Sequence, residues 1–137
     1  MTKLATRLRT APAATTLPAE DLKRARSFYE EKLGLKIEAR DDMPDGIFVH
    51  AGKGSLIFLY ERGRATAENT AVTFEVDDLE GTVSELRSRG VRFEDYDIPN
   101  GPKTVDGIAS RDSDKAAWFK DSEGNILCAH ETLRRAA

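Results

Sequence analysis

The chain has 137 residues, 39% apolar and 33% charged, with a formal net charge of −3. That balance fits one globular domain, gives no signature of disorder, and offers no basic surplus for binding nucleic acid. A single cysteine, Cys128, allows no internal disulfide, and no stretch approaches the roughly 20 apolar residues of a membrane span.

The start, "MTKLATRLRT", is basic but is not followed by an apolar run of signal-peptide length, so the expectation is a cytoplasmic protein. Residues 1–10 and 133–137 are expected to be flexible tails. A short β-prone run at Thr15, Thr16 and Leu17 leads to Asp21, whose carboxylate suits a helix N-cap. Leu22, Ala25, Phe28, Tyr29 and Leu33 then recur at helical spacing, and Gly34 stands just past the helix end. "LKIEAR" reads as a strand. "GIFVHAG" and "GSLIFLYER" read as a hairpin joined around Gly52, Lys53 and Gly54.

The polar stretch "ERGRATAENT" links this unit to a second of the same design. Val72, Thr73 and Phe74 repeat the first run, and Asp78 repeats the cap. Leu79, Val83 and Leu86 repeat the helical stripe, ended by Gly90. "VRFEDY" is the next expected strand. "KAAWFKD" and "GNILCAHE" form a second hairpin across "DSEG". The octapeptides "GSLIFLYE" (54–61) and "GNILCAHE" (124–131) therefore occupy one structural position in two copies of a module. Module one spans about 12–61, the linker 62–69 and module two about 70–132. The segment 95–115, with two prolines and several turn residues, lacks a counterpart in module one and reads as a long loop, of the kind that forms lids or binding loops.

The segments "LPAEDLKRARSFYEEKLGLKI", "FEVDDLEGTVSELRSRGV" and "AAWFKDSEGNILCAHE" resemble the glyoxalase / bleomycin-resistance / extradiol-dioxygenase superfamily, the vicinal oxygen chelate proteins. The resemblance implies an α+β fold of two tandem βαβββ modules, whose eight strands curve around a central cavity. It also implies homodimers, some with cavities completed across subunits. Metal-using members hold one divalent ion through inward positions on the first and last strands of each module. Here those positions fall on Ala14, Phe58, Ala71 and Cys128. A divalent ion needs several N or O donors converging at about 2.0–2.3 Å. Two alanines, a phenylalanine and one thiol do not provide them, so no metal or other cofactor is expected.

Strand parity extends the candidate cavity lining to Thr16, His50, Leu56, Phe58 and Tyr60 in module one, and to Thr73, Glu75, Trp118, Ile126, Cys128 and His130 in module two. By the same parity Thr73 and Glu75 share a face with Ala71. His130 is a candidate cavity donor or general base, with no Asp or Glu visibly placed to orient it. The expectation is a metal-free protein that binds a small organic molecule between the modules, as a homodimer, away from nucleic acid and membranes. The alternative is a lyase, isomerase or dioxygenase-like enzyme. It would act on a small carbonyl or oxygen-rich substrate, either with substituted ligands such as His50, Glu61 and His130 or without metal and with His130 or Glu75 as base. Trp118 and Phe58 also have a plain reading, as core residues that fill the space an ion once shaped.

Overall fold

A computed structural model describes residues 6–133; the outermost parts of both expected tails, 1–5 and 134–137, lie outside the described residues. Residues Arg7–Thr10 form a 3-10 turn rather than an unstructured lead. Module one runs β1 (Thr15–Ala19), α1 (Leu22–Ser27), β2 (Lys36–Glu38), β3 (Gly46–His50) and β4 (Leu56–Glu61). Module two runs β5 (Thr70–Glu75), α2 (Leu79–Ser88), β6 (Ala109–Ser110), β7 (Asp114–Lys120) and β8 (Ile126–Thr132). The eight strands divide into two four-stranded sheets, ordered β1-β4-β3-β2 and β5-β8-β7-β6. In each, the first strand runs parallel to the last and the others are antiparallel.

Both helices begin where the acidic residues place them. Asp21 accepts the Arg24 N–H at 3.1 Å and Asp78 accepts the Gly81 N–H at 3.0 Å, each satisfying a donor left free in the first helical turn. Helix α1 continues into a π-turn at Phe28–Lys32, closed by the Leu33 N–H on the Phe28 carbonyl. Phe28 and Tyr29 are both buried in that wider turn. Leu17, Ile47, Val49, Ile57 and Leu59 line the helix side of the first sheet, and Phe119 and Leu127 join the same core from the second.

The modules are locked together by the turn between β7 and β8. Glu123 is fully buried there and accepts the backbone N–H groups of Glu20 and Asp21, both at 2.9 Å. Arg24 donates to the same carboxylate at 2.8 Å, and so does the Ser122 hydroxyl at 2.7 Å. Burial pushes the Glu123 carboxyl up, but these donors outweigh it and hold the group down at about 2. The neighbouring Asp121 accepts the Tyr29 hydroxyl at 2.7 Å, and Asn125 donates to the Pro18 carbonyl at 3.1 Å. Module two thus caps the start of the helix in module one.

The edge beside β7 differs from expectation. "VRFEDY" makes only a bridge between Phe93 and Phe119, with the Glu94 N–H on the Trp118 carbonyl. The chain then leaves the edge because Asp95 accepts the Thr104 hydroxyl and the Gly107 N–H, both at 2.8 Å. It returns as β6, inside the segment expected to be loop throughout. The insertion is therefore a self-bonded excursion that splits one edge strand into two pieces.

Candidate functional site

The two sheets can be compared row by row, because corresponding residues are cross-strand partners. In module one a row runs Thr16, Phe58, Phe48, Glu38. In module two the corresponding row runs Thr73, Cys128, Trp118. The next row is Pro18, Tyr60, Gly46 in the first sheet, and Glu75, His130, Ala116, Ala109 in the second.

The rows diverge in what fills them. In module one the Phe58 ring lies 4.9 Å from the Phe48 ring and stacks with Tyr60 at 6.3 Å. The Arg40 guanidinium covers Phe48 at 4.5 Å. Phe58 sits so close over Gly46 that a Cβ there would overlap its ring. In module two a thiol replaces that ring, and a cavity of about 670 Å³ opens on that face. Thr73, Trp118, Cys128 and His130 line it, joined by Thr70, Ala116, Arg111, Asp114 and the loop Asn100–Lys103. Its lining comes from module two alone, rather than from between the modules. Thr16, His50, Leu56, Phe58 and Tyr60 sit on the sheet of module one instead, with His50 held 2.8 Å from Glu38. Ile126 is buried at the start of β8 and does not reach the cavity.

A bulge in β5 changes one face assignment. The ladder slips between Thr70 and Val72, which breaks period-two parity at Ala71. Thr70 consequently faces the cavity, and Ala71 packs against the hydrophobic core instead of beside Thr73. Trp118 spends its indole N–H on the Thr70 hydroxyl at 3.2 Å, and Tyr96 meets its ring edge-on at 5.5 Å.

His130 is oriented by two acids, contrary to the expectation of none. Its Nδ1 lies 2.6 Å from Glu75 and its Nε2 2.9 Å from Asp114. Asp114 is also gripped by Arg111 through two contacts, at 2.7 and 2.6 Å. Both imidazole contacts are hydrogen bonds only when both nitrogens carry protons. Asp114 and then Glu75 accordingly raise the His130 pKa, and His130 in turn helps lower both of theirs. The two carboxylates favour the imidazolium over the free base. Glu75, the other candidate base, is tied to His130 and to the Thr132 N–H at 2.8 Å. Strand parity from Trp118 extended by four residues would have placed Asp114 on this face; Arg111 and the loop carry no such signal.

The donor set does not suit the family's ion. Ala14 and Phe58 offer no donor, and Ala71 neither offers one nor faces the cavity. Burial pushes the Cys128 thiol up to about 11, away from the thiolate that binds metal. Glu75 and Asp114 sit at opposite nitrogens of one ring and do not converge. Among the described residues no group of three or more His, Cys, Asp or Glu is placed to hold a metal. Glu131 points to the helix side, where it accepts the Leu79 N–H at 2.9 Å.

Paired βαβββ modules, each a four-stranded sheet with its own helix, define the vicinal-oxygen-chelate class of fold. The chain belongs to the Glyoxalase/Bleomycin resistance protein/Dioxygenase superfamily, whose family model matches residues 11–128. Solved structures with the same fold include the fosfomycin resistance protein FosX from Listeria monocytogenes, 16% identical over 90% of this chain and 92% of that one, with a TM-score of 0.66. TnmS3, an antibiotic binding protein from Streptomyces sp. CB03234, is 19% identical over 90% and 98%, with a TM-score of 0.63. Lactoylglutathione lyase from Agrobacterium tumefaciens is 22% identical over 89% and 93%, with a TM-score of 0.61. No curated protein matches the chain by sequence. Among the described residues no helix is long and apolar enough to cross a membrane.

Proposed function

We propose that the protein binds a small organic molecule, without metal, in the cavity of module two. The observation that supports this best is the asymmetry of the two sheets. The same face is filled by Phe48, Phe58 and Tyr60 in one module and hollow around Trp118 and Cys128 in the other. A volume of about 670 Å³ suits a drug-sized ligand. A relative of this fold that is named as an antibiotic binding protein is consistent with such a role. The half-exposed rings of module one fit a homodimer that covers them, and the single free thiol fits a reducing, cytoplasmic setting.

The test is a ligand panel read by thermal shift. A ligand at 100 times its dissociation constant adds about 2.7 kcal/mol to stability. Shifts should vanish in Trp118→Ala and persist in Phe58→Ala. Hits indifferent to Trp118→Ala, or a panel with no hit, would remove the cavity from the proposal.

A further inference from the structure

The polar groups of this cavity have a sign. Asp114 is the one carboxylate in its lining, and both its oxygens are taken, one by Arg111 and the other by Arg111 and His130. Its donors are not so occupied. No ion pair engages Lys103 among the described residues. Arg111 keeps one terminal nitrogen free of Asp114, with its side chain 73% exposed at the rim. Of the basic side chains in the lining, Arg111 and His130 face a carboxylate, and Lys103 has no ion-pair partner among the described residues.

The apolar part has a shape. Trp118 has its N–H bonded to Thr70 and one side packed against Tyr96 in a T-shaped pair, and the rest of its ring lines the cavity. Cys128 and Ala116 beside it are small, and Pro102 lines the cavity from the loop. A flat ring laid on Trp118 meets little steric resistance and gains an offset-stacked contact.

We propose that the cavity selects a flat aromatic molecule bearing an anionic oxygen group, with the ring on Trp118 and the anion toward Lys103 and Arg111. The proposal rests on the reading of the cavity as the ligand site and names the ligand's chemical class. Anionic oxygens supply acceptors where the lining holds spare donors. A cationic ligand would find the one carboxylate already neutralised.

Trp118 is the only tryptophan, so 15N-labelled protein gives one indole signal, located in the cavity. The three probes are naphthalene-2-carboxylate, its neutral carboxamide and 2-naphthylmethylammonium. The carboxylate should move that signal with a dissociation constant roughly fivefold or more below the other two. Lys103→Met, on an exposed loop residue, should reduce the advantage to under about twofold, as should raising the salt to about 1 M. Equal affinity for the three probes, or tightest binding of the cation, overturns the ligand class and leaves the cavity reading standing. If none moves the indole signal, the ligand class is overturned as well, and the cavity reading is decided by the thermal-shift panel.

Discussion

Through its two ring nitrogens, His130 ties three strands together. Glu75 on β5 and Asp114 on β7 both hold the imidazolium on β8. His130's folded pKa lies above its ordinary value of about 6.5, so its contribution to stability is complete below that pH and is lost as pH rises through the raised value. Glu75 and Asp114 shift the other way, so their contributions are present above about pH 4.5 and lost as pH falls through their depressed values. The melting temperature should therefore plateau between about pH 4.5 and 6.5 and decline toward pH 8. Asp114→Asn should lower the His130 pKa, read from its ring proton shifts, and flatten the alkaline decline. A melting temperature that rises between pH 6.5 and 8 in the native protein would contradict this network. Sequence parity reached His130 and Cys128 because both follow a clear strand period. It missed the bulge at Ala71, since one unpaired residue leaves no mark in an apolar run.

At the scale of elements, the DSEGN turn matters beyond its local geometry. It was legible as a hairpin turn, but its role was not, because Glu123 bonds to residues about a hundred positions earlier. Glu123→Ala leaves two helix-start N–H groups and a guanidinium without their acceptor. Arg24 is itself part exposed and water can replace some of its bonding. The expected loss is about 2–3 kcal/mol, mostly from the backbone donors left unsatisfied. Glu80→Ala at the surface pair with Lys115 should cost far less, because solvent screens that pair. Chemical denaturation of both variants separates a lock between modules from a surface ion pair, and equal losses would deny Glu123 that role. The split edge strand was hidden for a related reason. "VRFEDY" has strand composition, yet the bonds that draw the chain away at Asp95 come from Thr104 and Gly107, after it in sequence.

Across the whole molecule, the modules are duplicates in topology and opposites in content. Phe58 fits above its sheet because the neighbouring row carries Gly46, where a side chain would overlap the ring. The matching pair in module two is Cys128 with Ala116, so by register the Ala116 methyl takes the place that Gly46 leaves open for the Phe58 ring. Closure of one cup and opening of the other thus depend on a pair of positions rather than on one. Cys128→Phe alone should be destabilised by about 1–3 kcal/mol, since the new ring meets that methyl. Adding Ala116→Gly should recover most of the loss and give module two the filled face of module one. In the double variant, ligands that stabilise the native protein should produce no thermal shift, while the melting transition stays cooperative. If the double variant still responds to those ligands, the cavity beside Trp118 is not where they bind. If Ala116→Gly fails to relieve Cys128→Phe, the two faces are not built on the same packing rule.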